Sequence, residues 1–224
     1  MNEHPSDTQK IAGKKLLGAL ATIATFIVVV IAAAIGKTIG RENTRALLHR
    51  SDNVRPVLNY SAATWSTRSL GDISLDAPFS FEPGPDVAGK LPSQVRDTLA
   101  YYEVLDSGKS TNLRATVSRI AYKPGVQISL DGAMKGAMNG AMRSIAAASG
   151  ETNPQFSSTV TSIDGFPARR ASYTGRVHGT PIHLDAVFVQ SGQKFWQVQV
   201  MCTDDSSASD SKRILDSIHI NATR

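Results

Sequence analysis

The chain has 224 residues, and its 24 Lys and Arg against 19 Asp and Glu give a net charge of +5. The basic excess lies at the N-terminal end, because the first 63 residues hold eight basic and four acidic residues. A nucleic-acid-binding domain carries its basic excess on the folded part, so nucleic-acid partners are excluded. The single cysteine, Cys202, excludes an internal disulfide.

An uncharged apolar run of twenty residues, 16–35, follows a short basic tail at 1–15. A helix of that length spans about 30 Å, the thickness of a bilayer's hydrocarbon core. We predict one uncleaved transmembrane helix over 16–36, because the apolar core of a cleaved signal is shorter, roughly 7–15 residues. A signal peptide cut after the small residues 32–34 is the alternative.

Residues 37–65 are predicted to form a juxtamembrane segment and a linker. Their basic residues fit a solvated helical extension or attraction to anionic lipid. Small residues recur every fourth position at the membrane exit, at Ala32, Gly36 and Gly40. This spacing lets membrane helices approach closely, so these three residues are the candidate for self-association in the bilayer.

The orientation of the chain is indicated by two conflicting signals. Three basic residues precede the apolar run and about five follow it closely, which favours a cytoplasmic C-terminal domain. The remainder of the chain is nearly neutral and rich in Ser, Thr and Asn, as is typical of an envelope domain. We expect an inner-membrane protein whose residues 60–224 lie outside the cytoplasm.

One globular domain is predicted over 66–224, with alternating strand patterns and two helices. A first strand region lies around 73–81, and a last helix is expected to be capped by Asp205 or Ser206. The other predicted strands are 99–105, 112–122, 156–163, 167–174, 182–190 and 195–202, with a turn at Gly175 and a helix over 131–148. We predict the α+β class, as an α/β/α sandwich with a largely antiparallel sheet.

Four short motifs occur in order along this domain: Ala-Pro-Phe-Ser-Phe at 77–81, Tyr-Lys-Pro-Gly at 122–125, Ile-Asp-Gly-Phe-Pro-Ala at 163–168 and Ile-Leu-Asp-Ser-Ile at 214–218. Together with the order of elements, they resemble the PsbP-like fold of LpqN-type and DcrB-type bacterial envelope proteins. The resemblance covers about residues 70–222. It implies a sandwich that is usually non-catalytic and serves as an accessory or binding module.

The predicted long helix contains a repeat in which Gly-Ala-Met occurs three times at a spacing of four residues. At about 100° per residue, Met134, Met138 and Met142 fall on one arc with the alanines, and Gly136 and Gly140 form its edge. Close packing on the sheet with methionine as adaptable filler is the simpler interpretation. The alternative is a methionine-lined groove for an apolar ligand.

Few residues suggest catalysis or metal binding. His183 and Asp185 share a strand face, whereas His178 would lie on the opposite face of a continuous strand, so no metal site and no cofactor is predicted. Cys202 ends an apolar strand and is predicted to be an inert buried thiol. Arg169 and Arg170 alternate faces, so one of them is expected to point into a cleft that binds an anion or a partner.

The favoured hypothesis is a membrane-anchored, non-catalytic envelope domain that binds a protein partner or an apolar small molecule. One alternative is a membrane-associated enzyme with its site at His183 and Asp185. The other is a self-associating membrane scaffold that uses Ala32, Gly36 and Gly40. Catalysis needs several titratable groups in one pocket, and the sequence predicts that these groups are scattered.

Overall fold

The structure is a computed structural model, and it describes residues 64–84, 93–107 and 112–221. The strands are β1 (Ser66–Leu70), β2 (Ile73–Ala77), β3 (Glu82–Pro83), β4 (Leu99–Asp106), β5 (Leu113–Tyr122), β6 (Ser157–Ile163), β7 (Phe166–Val177), β8 (Thr180–Ser191), β9 (Lys194–Cys202) and β10 (His219–Ile220). The helices are α1 (Ser93–Arg96), α2 (Leu130–Ser149) and α3 (Ala208–Asp216), and a 3-10 turn (Asp205–Ser207) precedes α3.

Seven strands form one antiparallel sheet in the order β3-β4-β5-β9-β8-β7-β6. Strands β6 to β9 are successive hairpins. Two of their turns, Asp164-Gly165 and His178-Gly179, have positive φ at both residues, which matches the right-handed twist of the flanking strands. Strand β9 also pairs with β5, and this pairing attaches the hairpin β4–β5 to the four successive hairpin strands. Strands β3 and β6 are left at its two edges.

One face of the sheet is covered by α2, and the residues that cap its two ends are the ones that the sequence predicts. The Ser129 hydroxyl accepts the Gly132 N–H at 3.1 Å, and Gly150 ends the helix with a φ of 73°. Met134, Met138 and Met142 are buried against the sheet. Their neighbours in this core are mainly residues of β5, β7, β8 and β9, including Tyr122, Ala171, Tyr173, Leu184, Phe188 and Phe195.

The opposite face is covered by α3 and by a second sheet in the order β1-β2-β10. Ile73 and Leu75 of β2 and Ile214 of α3 are fully buried there with Trp196 of β9. The predicted α+β class, with a mostly antiparallel sheet and two long helices, is confirmed. The second sheet was not predicted, because β1 carries little apolar pattern and β10 has two residues.

Asp72, in the turn between β1 and β2, ties the second sheet to the large one. Its carboxylate accepts the Trp196 indole N–H at 2.9 Å and the Arg119 Nε–H at 3.2 Å, and lies 3.1 Å from Lys194 Nζ. Burial raises the pKa of this carboxyl, but the hydrogen bonds from Trp196 and Lys194 and the charges of Arg119 and Lys194 outweigh burial and lower it. The charged form therefore stabilises this junction.

Two local predictions are wrong. The turn predicted at Gly175 lies instead at His178-Gly179, and β7 continues through Gly175, where a Cβ atom would collide with the Tyr173 hydroxyl. The residue that caps the last helical segment is Asp204, because its carboxylate accepts the Ser207 N–H at 2.8 Å. His178 thus lies in a turn, so the predicted alternation of His178 and His183 on one strand does not apply.

Residues 1–63 lie outside the described residues, and with them the predicted tail, the transmembrane helix over 16–36 and most of the linker. Within 64–84, 93–107 and 112–221, no helix is both long enough and apolar enough to cross a bilayer. Trp65, which was assigned to the linker, already contacts the domain, with the Arg213 guanidinium carbon 4.0 Å from its ring centroid.

Candidate functional site

Two adjacent arginines at the centre of β7 hold the two long helices on opposite faces of the sheet. Arg169 Nε lies 2.6 Å from Asp131 Oδ1 in the first turn of α2. Arg170 Nη1 lies 2.6 Å from Asp216 Oδ1 in α3, and its Nη2 donates to the Leu215 carbonyl at 3.4 Å. The predicted alternation of the two side chains follows the pleat of β7. Arg170 is the one that reaches a cleft.

A cleft of about 300 Å³ lies between α3 and the strands β6, β7 and β8. Hydroxyl groups form its outer wall, where the Ser157 and Ser172 Oγ atoms are 2.9 Å apart. The cleft is lined by Ser157, Ser158, Thr159, Arg170, Ala171, Ser172, Asp185, Ala186, Lys212 and Leu215. Its lining combines hydroxyl and charged groups with aliphatic carbon, including that of Ala171, Ala186 and Leu215, so it suits a partner with both polar and apolar groups.

The charges in and beside the cleft are already engaged within the protein. Asp216 bonds both Lys212 and Arg170, and the hydrogen bond from Lys212 is the largest cause that lowers the pKa of its carboxyl, against the effect of burial. Asp185 accepts the Ser211 hydroxyl at 2.8 Å. Two cations and two carboxylates therefore balance each other, and the cleft carries no excess charge for a free ion.

His183 and Asp185 lie on the same face of β8, as predicted, but they contact different partners. His183 Nε2 lies 2.8 Å from Asp205 Oδ1, and its Nδ1 lies 3.3 Å from Thr174 Oγ1. Asp185 instead bonds Ser211 of α3. The two residues predicted for the enzyme alternative are therefore held in separate hydrogen-bond groups.

Strand pairing adds a neighbour that sequence reasoning missed, because His183 lies directly opposite Cys202 of β9. A cysteine, a histidine and Asp205 are thus brought to one end of the α3 face. Burial, followed by the charges of nearby carboxylates of which Asp185 is the first, raises the pKa of the Cys202 thiol to about 12. Reactive cysteines have the opposite surroundings, exposed and electropositive, so this thiol stays protonated.

The remaining predicted site residues do not join this cleft. Met134, Met138 and Met142 are buried in the core under α2, on the other face of the sheet. Ala32, Gly36 and Gly40 lie outside the described residues. In the part of the chain that the structure describes, no group of three or more His, Cys, Asp or Glu side chains is placed to hold a metal ion.

The outer wall of the cleft is also the edge of the large sheet. Strand β6 pairs only with β7 among the described residues, with Thr159 opposite Arg170 and Val160 opposite Arg169. Five of its seven residues are exposed, and Val160 is 77% exposed. The sequence shows β6 as a strand but gives no local signal that it lies at an edge, since edge position depends on how distant strands pair.

No protein-family model matches the chain, and no curated protein matches it. Among solved structures, the chain is similar to cyanobacterial PsbP from Synechocystis, with 14% identity and a TM-score of 0.46 over 75% of this chain and 98% of that one. It is also similar to LpqN, involved in cell envelope biogenesis of Mycobacterium tuberculosis, with 15% identity and a TM-score of 0.38 over 71% of this chain and 91% of that one. The PsbP-like resemblance predicted from the sequence thus recurs among solved structures, and at these identities the likeness concerns the fold alone.

Proposed function

We propose that this chain is a non-catalytic binding domain of the cell envelope, tethered to a membrane by residues 16–36. Its partner is a protein, and the binding site is the cleft between α3 and β6 to β8. The observation that carries the proposal is this cleft, in which hydroxyl and charged groups lie beside aliphatic side chains. A concave site with a mixed lining of this kind binds a partner and selects its side chains.

The state of the titratable groups supports binding rather than catalysis. Cys202 is a buried thiol with a raised pKa, His183 is bonded to Asp205, and Asp185 is bonded to Ser211. A nucleophile needs an adjacent base within hydrogen-bond reach and an activated form at neutral pH. The groups beside the cleft are instead used to fix α3 and its preceding turn on the sheet.

The interior beneath α2 favours a protein partner over an apolar small molecule. The three methionines that could line an apolar groove are buried at 4% exposure or less among aromatic and aliphatic side chains. They serve as core residues in this arrangement, with the small Gly136 and Ala137 allowing close approach to the sheet. The cleft on the α3 face places hydroxyl and charged groups beside aliphatic carbon, so it suits the mixed side chains of a polypeptide.

The membrane tether and the extracytoplasmic location are supported by the length of the apolar run and by the neutral, hydroxyl-rich composition of the rest of the chain. A reporter that is active only outside the cytoplasm, fused after Arg224, is expected to be active. Activity of a cytoplasm-only reporter at the same position would contradict this placement and would support the orientation indicated by the flanking charges.

Site-specific photo-crosslinking in the full chain, in its own membrane, tests the binding site. A photoreactive residue at Ser172 or at Lys212, on the two walls of the cleft, is expected to trap the same partner. Asn139 and Lys135, exposed on the outer face of α2, serve as controls. Trapping of the same protein from all four positions, or of none from the two cleft walls, would contradict the proposed site.

A further inference from the structure

Strand β6 is a long edge strand without the features that normally protect an edge. Its seven residues, Ser157–Ile163, include no charged residue and no proline, and the exposed Val160 lies at its centre. Natural edges are shortened, bulged or charged, because unpaired N–H and C=O groups offer a template to another strand. Among the described residues, nothing pairs with the outer side of β6.

The charges next to this edge are neutralised within the domain. Arg169 lies opposite Val160 on β7 and is paired with Asp131, and Arg170 lies opposite Thr159 and is paired with Asp216. If two copies of the chain met at this edge, the side chains in contact would be hydroxyl and aliphatic ones. The arginines of the neighbouring strand would already be paired with carboxylates of their own chain. No like-charged residues of the two β6 strands would face each other.

The order of residues in β6 suits one occupant in particular. Residues 158–162 are Ser-Thr-Val-Thr-Ser, which is the same in both directions. We infer that β6 pairs antiparallel with β6 of a second copy of this chain, about a two-fold axis at Val160. Val160 then faces Val160, Thr159 faces Thr161 and Ser158 faces Ser162, and β-branched and hydroxyl pairs of this kind stabilise adjacent strands.

The pairing joins two seven-stranded sheets into one, with both α2 helices on the same face. One strand pair buries less surface than the roughly 1,200–2,000 Å² of a stable complex, so the pair depends on high local concentration. A shared membrane supplies that concentration in the way a linker does. The inference rests on the proposed function only for the membrane tether, and it does not depend on what the cleft binds.

Cysteine cross-linking of the full chain in its membrane tests the register. In the inferred pair the two residues at 160 have Cα atoms about 4.5–5.5 Å apart, within the range of a disulfide. The residues at 158 of the two copies are about 14 Å apart along the strands, which is too far. Cys202 is buried and is present in every variant, so it serves as a constant background.

Val160→Cys is expected to form a disulfide-linked pair of chains under mild oxidation. Ser158→Cys alone and Ser162→Cys alone are each expected to give at least tenfold less disulfide-linked pair. When chains with Ser158→Cys and chains with Ser162→Cys are expressed together, the cross-link is expected to return. Equal cross-linking of all the single variants would indicate random collision and would overturn the inference. A cross-link from Val160→Cys to a different protein, or no cross-link from it, would also overturn the inference while leaving the proposed cleft untouched.

Discussion

The two edges of the large sheet differ in almost every property that controls strand pairing. Strand β3 has two residues, one of them the charged Glu82 and the other Pro83, which has no N–H to donate. Strand β6 has seven uncharged residues and an exposed valine at its centre. Among the residues that the structure describes, one edge is therefore protected in the usual ways and the other is left open. An edge left open in this way is best explained as a surface that another strand occupies.

The two ends of the sheet also differ in how they are supported. Behind β6, consecutive arginines of β7 bind α2 and α3, so both faces next to the open edge are fixed. At the other end, the carboxylate of Asp72 fixes the second sheet against β5 and β9. The open edge thus lies beside a strand that is linked to a helix on each face of the sheet.

The largest effect on the free energy of unfolding is expected in the core under α2, which supports the open edge. Met138→Asp places a charge at a site with 0% exposure, which costs at least about 3 kcal/mol, so the domain should unfold. Asn139→Asp, one residue further and exposed, should change the free energy of unfolding by less than about 0.5 kcal/mol. Chemical denaturation checks both variants. Equal tolerance would show that α2 does not support the sheet as described.

A smaller effect on the free energy of unfolding is expected at Asp72, which joins the second sheet to the large one near the protected edge. Asp72→Asn removes a charge that bonds Arg119, Lys194 and Trp196, and should cost about 1–3 kcal/mol of unfolding free energy at pH 7. The exposed Asp97→Asn should have little effect and serves as the control. Thermal denaturation of the full chain in nanodiscs measures the difference.

The effect of Asp72→Asn should depend on pH in a defined direction. Because the folded-state pKa of Asp72 is lowered from 3.8, its charge contributes stability that is fully present above that value and is lost as the pH falls through the folded pKa. The difference between wild type and Asp72→Asn should therefore shrink as the pH falls below about 4. A difference that stays constant from pH 7 to pH 3 would contradict this assignment.

The smallest effect on folding is expected at the open edge itself. Val160→Lys changes a 77% exposed residue, so the free energy of unfolding should change by less than about 0.5 kcal/mol. Pairing of two copies should nevertheless weaken at least tenfold, because identical charges would face each other across the strands. Val160→Thr keeps the strand uncharged and symmetric, and should pair like wild type. Co-purification of differently tagged chains measures pairing, and equal pairing by Val160→Lys and Val160→Thr would contradict the self-paired edge.

Features encoded locally could be predicted from the sequence. The caps of α2 at Ser129 and Gly150, and the strands β5 to β9, follow from turn residues and apolar alternation. The second sheet could not be predicted, since β1 carries little apolar pattern, and β10 has two residues and pairs with β2 from a distant part of the chain. Local signals also misled, because Gly175 serves the close approach of the Tyr173 ring and not a turn.

The candidate site was predicted only in its parts. The alternation of Arg169 and Arg170 follows from strand geometry, but their partners Asp131 and Asp216 depend on how the helices pack. The placement of His183 opposite Cys202 requires the register of β8 and β9. The symmetric segment centred on Val160 can be read from the sequence. It indicates self-pairing only once β6 is known to lie at an edge of the sheet.

A charge exchange at Val160 tests whether β6 pairs with β6 of a second copy. Chains carrying Val160→Lys and chains carrying Val160→Glu, with different tags, are produced separately and together in one membrane. Neither variant is expected to co-purify with itself, and the mixture is expected to restore pairing because opposite charges then face each other. Pairing of either variant alone at the level of the mixture, or no pairing in the mixture while wild type pairs, would contradict this self-pairing.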